Sequence, residues 1–111
     1  MHDLSVCVTV NLECAHTALD GRLHGHSYLV ECWTHRNTDL DEYYSEVNAI
    51  ASQLDHTELE KTINPPTMEE IAHWFFNQIS HLCEVVVIRP TLGFKVSLKR
   101  YTFEREEQCT I

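Results

Sequence analysis

Hydrophobic and polar residues alternate along the N-terminal part of the chain. Over residues 6–14 the even positions are apolar and the odd positions are mostly polar, a period of two that predicts a half-buried strand. A second strand is predicted from about residue 24 to residue 35, where one face carries apolar side chains at Tyr28, Val30 and Cys32. Because only a short turn separates the two segments, we expect them to pair as an antiparallel hairpin.

The hydrophobic spacing changes to three and four residues after position 40, which predicts two amphipathic helices. The first covers about residues 40–54 and begins behind Asp39 as its N-cap. The second covers residues 68–82 and begins behind Thr67, with Glu70 three residues later completing a capping box.

Two more strands are predicted at residues 85–88 and 94–103, on either side of a break at residues 90–93. The order is therefore ββααββ, which favours an α+β fold: an antiparallel four-stranded sheet with two helices on one face. With 111 residues and no linker, repeat or low-complexity segment, the chain (1–111) is predicted to be a single domain.

Composition narrows the set of partners. The net charge of -9 and the lack of a Lys/Arg stripe predict no nucleic-acid partner, although Lys95, Lys99 and Arg100 leave an acidic small molecule open. Five cysteines without a C-x-x-C pair and an N-terminus unlike a signal peptide predict a reduced, cytoplasmic protein. No apolar run approaches the ~20 residues that a membrane span needs, so no membrane partner is predicted.

Histidines mark the candidate metal site. His24 and His26 are two positions apart on a predicted strand, so their side chains leave it on the same side. His16 ends the first strand and is expected beside them across the turn. Three imidazoles with an open fourth position are typical of catalytic zinc. The alternative for H-G-H alone is a solvated strand end, and the helix positions of two other histidines predict surface or boundary residues: His73 and His81.

Four motifs in order resemble the 6-pyruvoyl tetrahydropterin synthase and 6-carboxytetrahydropterin synthase family. They are C-A-H at 14–16, L-H-G-H-S-Y at 23–28, L-D-H-T-E-L at 54–59 and P-T-M-E-E-I-A at 66–72. The resemblance covers about residues 4–103. It implies a T-fold, or tunnelling fold, that assembles through sheet edges into a homo-oligomer, a hexamer made as a dimer of trimers, with active sites at subunit boundaries.

By this resemblance His16, His24 and His26 match zinc ligands, and Asp55 with His56 matches a catalytic pair. The implied activity is a zinc-dependent lyase acting on 7,8-dihydroneopterin triphosphate or a related pterin. A 6-carboxytetrahydropterin synthase-like reaction would serve queuosine or another pterin-derived pathway. Zinc would polarise side-chain oxygens of the substrate, and a base would remove the proton of the adjacent C–H. Without the resemblance, Asp55 is interpreted as an ordinary helix-end residue.

The chain departs from the family pattern at the catalytic cysteine. Four residues before the first His of H-x-H the family has Cys, and this chain has Asp20. Asp20 is a candidate general base, and the alternative is that Asp20-Gly21 forms a type I′ turn in a shortened hairpin. Cys14 is a second candidate thiol, for which packing is the favoured interpretation.

A second departure concerns the glutamate that anchors the pterin ring in the family. Ile88 or Arg89 occupies its place, and nothing in the spacing of Glu104 or Glu106 brings either to the pocket. Loss of such a charged hydrogen bond typically costs roughly 2 to 5 kcal/mol of binding. Two alternatives to the standard reaction follow: a divergent enzyme for a different small molecule, or a non-catalytic zinc-binding homo-oligomer.

Overall fold

A computed structural model describes residues 4–17, 21–35, 38–79, 83–90 and 93–100 of the chain. Within these ranges lie four strands, two α-helices and a short 3₁₀ helix. In chain order they are β1 (Ser5–Thr17), β2 (Leu23–His35), α1 (Leu40–Ser52), the 3₁₀ helix (Leu59–Lys61), α2 (Met68–Gln78), β3 (Val85–Pro90) and β4 (Val96–Lys99).

The four strands form an antiparallel sheet in the order β1-β2-β3-β4. This confirms the predicted α+β architecture. The observed element order differs from the prediction only by the 3₁₀ helix between α1 and α2. That turn is three residues long, too short for any hydrophobic period to mark it.

Several element ends differ from the prediction. The hairpin is longer, since β1 and β2 remain paired as far as Thr17 opposite Leu23. Helix α2 ends at Gln78 because Ile79 has an extended backbone (φ -81, ψ 157), although its side chain is buried as the periodicity predicted. The spacing of apolar residues indicates which side chains face the core, but it does not indicate the backbone conformation at each residue. Residues 80–82 of the predicted helix and 101–103 of the last predicted strand lie outside the described residues.

Both helices begin where their caps were predicted. The Asp39 carboxylate accepts hydrogen bonds from the N–H groups of Asp41 and Glu42, at 3.1 and 3.3 Å. The Thr67 hydroxyl accepts from the N–H of Glu70 at 3.2 Å. Each cap satisfies N–H groups that have no partner inside the helix. No helix in the described part of the chain has the length and apolar character needed to cross a bilayer.

The core lies between one face of the sheet and both helices. The even positions of β1 and β2 point into it, and α1 and α2 supply its other side, so the helices cover the same face as predicted. The side chains with no exposed surface are the centre of this core: Leu12, Val30, Cys32, Val47, Leu54, Leu59, Ile71, Phe75, Cys83, Val86 and Ile88.

Candidate metal and catalytic site

The register of the β1–β2 hairpin places three histidines on one face at the end of the sheet. His16 lies directly opposite His24, and His26 lies opposite Cys14. Directly opposed residues of an antiparallel pair have Cβ atoms about 5 Å apart, and alternate residues share a face. This face is the one that carries the core, and the histidines follow the last core residue of each strand.

His16 and His26 are in direct contact. Their Nε2 atoms are 2.5 Å apart, and their rings stack with centroids 4.3 Å apart at an interplanar angle of 25°. His26 also stacks on Tyr28, with ring centroids 5.6 Å apart. The stacked rings therefore place the two Nε2 atoms side by side.

His24 is the more exposed member of the three. Burial lowers the pKa of His26, and the neighbouring His16 and His24 lower it further, so all three imidazoles are within electrostatic range. The described residues contain no group of three or more His, Cys, Asp or Glu side chains that are already close enough to hold a metal ion. Two of the predicted ligands thus meet, and the third lies at the adjacent position of the same face.

The donor set fits a zinc ion. Tetrahedral zinc binds imidazole nitrogens at about 2.0–2.1 Å, which places two such nitrogens about 3.3 Å apart. The 2.5 Å between the Nε2 atoms of His16 and His26 is within 1 Å of that spacing, so a small rotation of either ring would accommodate the ion. A lower pKa favours the neutral imidazole of His26, which is the form that binds metal.

Asp55 and His56 form a hydrogen-bonded pair just beyond the end of α1. The Nδ1 atom of His56 lies 2.9 Å from Oδ2 of Asp55. The other carboxylate oxygen of Asp55 accepts a hydrogen bond from the N–H of Glu13 at 2.9 Å. The Glu13 N–H lowers the pKa of Asp55 most, His56 lowers it further, and slight burial opposes both. The ionised carboxylate accepts only, so Nδ1 of His56 is the donor and Nε2 is left as the basic nitrogen.

Backbone hydrogen bonds fix this pair against β1. The N–H of His56 donates to the carbonyl of Glu13 at 2.5 Å, and the N–H of Ala15 donates to the carbonyl of Thr57 at 2.9 Å. His56 itself has a left-handed backbone (φ 59), which turns the chain from the end of α1 onto the edge of β1. Its side chain remains 78% exposed, so the imidazole is available to a bound molecule.

One metal candidate, His26, and the candidate base His56 line the same cleft. The cleft has a volume of about 480 Å³ and lies at the end of the sheet. Strand β2 lines one side of the cleft with His26 and Ser27, and the segment after α1 lines the other side with His56 and Thr57. Strand β1 lies between them and contributes Cys14 and Ala15. The structure therefore brings together, within one chain, residues that are far apart in sequence, such as Cys14 and His56, which are 42 positions apart.

The remaining candidates have different outcomes. Asp20 lies outside the described residues, as does His81, whereas His73 is exposed on α2 as predicted. Cys14 is 7% exposed, and burial, with the nearby Asp55 and Glu13 carboxylates, raises its pKa to about 11. A neutral, buried thiol is a poor base or nucleophile near neutral pH, which supports the packing interpretation of Cys14.

Ile88 and Arg89, the two candidates for the place of the family's anchoring glutamate, lie on opposite faces of β3. Ile88 is fully buried in the core, and Arg89 lies on the other side of β3, with its Nε atom 3.0 Å from Oε2 of Glu31. Neither residue lines the cleft. Glu104 and Glu106 lie outside the described residues.

Sequence reasoning missed Glu60, which reaches the end of β1. Its Oε2 atom accepts a hydrogen bond from the N–H of Thr17, next to His16, at 2.5 Å. The one available signal was its position directly after the L-D-H-T-E-L motif. Placing it required the 3₁₀ helix, which no pattern in the sequence indicated.

The fold and the cleft define an α+β domain with a histidine-lined pocket at one end of its sheet. A sequence model of the family described as 6-pyruvoyl tetrahydropterin synthase matches residues 5–104, nearly the whole chain. The chain therefore belongs to the 6-pyruvoyl tetrahydropterin synthase family, which confirms the resemblance seen in its four motifs. A comparison with curated proteins gave no match.

Proposed function

We propose that this protein is a zinc-dependent lyase that acts on 7,8-dihydroneopterin triphosphate or a related pterin, in a reaction like that of 6-carboxytetrahydropterin synthase. Family membership supports the pterin and lyase parts of this proposal. The observation that carries it is the cleft that His26 and His56 line together, since His26 contacts His16 and His56 is held by Asp55.

His16, His24 and His26 would hold the zinc ion, leaving a fourth position open for substrate. When bound, zinc supplies Lewis-acid polarisation of the substrate's side-chain oxygens. His16 and His26 are preorganised by stacking, and His24 would complete the set from its position opposite His16. Preorganised ligands lose less side-chain entropy when the metal binds.

His56 is the proposed general base. The Asp55 carboxylate holds the Nδ1–H of His56, so the Nε2 atom is free to accept a proton from a substrate carbon. The same carboxylate stabilises the imidazolium that results. Asp20, which replaces the family's cysteine, remains a second candidate base.

We also propose that the domain is a T-fold that assembles through its sheet edges into a cytoplasmic homo-oligomer, a hexamer of paired trimers. Strands β1 and β4 are the two edges of the sheet. Edge strands present backbone N–H and C=O groups that a neighbouring chain can pair with. Backbone contacts from Ala15 to Thr57 and Glu58 occupy the cleft end of β1, so pairing there would use the part of β1 nearer Ser5.

A divergent enzyme of the same fold, acting on a different small molecule, is the second candidate. The missing ring-anchoring carboxylate favours it, because Ile88 or Arg89 stands at its place and Arg89 contacts Glu31. An arginine has no acceptor for the ring N–H groups of a pterin. Family-like turnover of the standard pterin would rule out this candidate.

Triphosphate release tests the proposal. Zinc-loaded protein should release triphosphate from 7,8-dihydroneopterin triphosphate, and a chelator should abolish the release. Substituting His56→Ala should lower kcat by roughly 10²-fold or more, the usual contribution of a general base. His73→Ala on the exposed side of α2 is the matched control and should leave kcat unchanged. Release that survives both the chelator and His56→Ala would contradict the proposal.

A further inference from the structure

Glu60 connects the 3₁₀ helix to the metal-candidate end of β1. The 3₁₀ helix is anchored by Leu59, which is fully buried in the core. From this anchor the Glu60 carboxylate reaches the backbone of β1, where Oε2 accepts the N–H of Thr17. Thr17 is the last residue of β1 and directly follows His16, so Glu60 holds the strand at the point where His16 leaves it.

The second oxygen of this carboxylate is shielded from solvent. Within the described residues Oε1 of Glu60 has no hydrogen-bond partner. A shielded carboxylate oxygen without a donor loses its hydration and gains no hydrogen bond in exchange. Such atoms therefore usually have a hydrogen-bond partner in the functional state of a protein. The N–H of Thr17 lowers the pKa of Glu60 most and His16 also lowers it, which places His16 within electrostatic range of the carboxylate.

The second ring nitrogen of His16, Nδ1, would supply a donor for this oxygen. The Nε2 atom of His16 faces His26, so a metal ion there leaves Nδ1 as the ring nitrogen that carries the proton. Histidines that bind a metal almost always donate their other N–H to a carboxylate, a carbonyl or water, which fixes the ring and makes the ligand more basic.

We propose that Glu60 is a positioning residue of the metal site, with one oxygen fixed by the Thr17 N–H and the other accepting the Nδ1–H of His16 when metal is bound. This inference rests on the zinc site of the proposed function. Glu60 does not touch the metal. It selects the tautomer and orientation in which His16 presents Nε2.

A purely structural clasp between the 3₁₀ helix and β1 is the competing interpretation. The substitution Glu60→Gln separates the two. Gln retains one carbonyl oxygen for the Thr17 N–H, but it places an NH₂ group where the Nδ1–H of His16 needs an acceptor. The matched control is Glu58→Gln, which removes the same charge at a position two residues earlier in the chain. The Glu58 side chain is exposed and pairs with Lys61 at 3.9 Å.

The test compares zinc affinity, measured by competition with a chromophoric chelator, with the unfolding of the metal-free protein. Glu60→Gln should weaken zinc binding roughly 10- to 100-fold and leave the metal-free unfolding midpoint unchanged. Glu58→Gln should change the affinity by no more than about twofold, because exposed charges are screened. In ¹⁵N NMR spectra of the zinc-loaded wild type, the His16 Nδ1 proton should be observed, and its resonance should shift in Glu60→Gln.

The other outcomes are distinguishable. Wild-type affinity in Glu60→Gln would overturn the inference while the zinc site stands. An equal loss of zinc affinity in Glu58→Gln would assign the effect to net charge. A lower metal-free unfolding midpoint in Glu60→Gln would assign it to the structural clasp. Either result overturns the inference. A wild-type chain that binds no zinc at all would overturn the proposed function and this inference together.

Discussion

Asp55 accepts a hydrogen bond from the backbone N–H of Glu13, 42 positions earlier in the chain, at 2.9 Å. This bond fixes the carboxylate that in turn holds Nδ1 of His56, so the orientation of the candidate base depends on β1. The histidines of the metal site lie on the same strand and on its partner β2. The hairpin is therefore the common support for both halves of the proposed chemistry.

Substitutions at Asp55 should separate its two roles. Asp55→Asn keeps an oxygen that can accept the Glu13 N–H, whereas Asp55→Ala removes both hydrogen bonds. We expect Asp55→Ala to lower the free energy of unfolding by about 1 kcal/mol and Asp55→Asn by less. Both should lower kcat, since neither supplies the negative charge that stabilises the His56 imidazolium. Urea denaturation and steady-state kinetics on both variants check this, and full activity in Asp55→Asn would contradict it.

The free energy of unfolding should fall in acid, as Asp55 becomes protonated. Its pKa is lowered from the ordinary value of 3.8, chiefly by the Glu13 N–H, so the folded protein binds the proton less readily than the unfolded chain does. The stabilisation is fully present above pH 3.8 and disappears as the pH falls through the lowered folded-state pKa. The difference in unfolding free energy between wild type and Asp55→Asn should thus shrink as the pH falls below 3.8. A difference that is constant or grows on acidification contradicts the assignment.

Cys14 should be inert to alkylation in the folded protein. It is buried, and its pKa is raised to about 11, chiefly by that burial, so little thiolate exists at neutral pH. Iodoacetamide at pH 7, followed by peptide mass spectrometry, should modify the half-buried Cys7 before Cys14. Unfolding in urea should remove the difference. Fast native labelling of Cys14 would restore it as a candidate catalytic thiol.

The hairpin core should be sensitive at Leu12, which is fully buried in the core. Leu12→Ala should lower the free energy of unfolding by about 2–5 kcal/mol, the range seen when a buried leucine is truncated. Asn11→Ala, on the exposed face of the same strand, is the control and should change stability by less than about 0.5 kcal/mol. Urea titrations of the two variants give the comparison, and equal effects would contradict the observed alternation of β1.

Most of the fold was predictable because its signals are local. Alternation in β1 and β2 and the caps at Asp39 and Thr67 each depend on residues a few positions apart. Antiparallel pairing then made the opposition of His16 and His24 predictable as well. The order of the elements followed from the sequence of these local patterns.

The contacts that build the cleft were not predictable in the same way. Residues 56–58 pair with β1 through backbone atoms, and the left-handed turn at His56 that allows this has no glycine to mark it. Glu60 likewise acts through a contact 43 positions away in sequence. The family resemblance identified Asp55 and His56, but only the structure showed what holds them.

Anomalous diffraction at the zinc absorption edge, from crystals of the zinc-loaded protein, shows whether three histidines of one hairpin bind one zinc ion. We expect one peak per chain at the end of the sheet, about 2.0–2.1 Å from a ring nitrogen of each of His16, His24 and His26. A peak that lacks His24, a peak bound elsewhere, or crystals without a zinc peak at that place would contradict it.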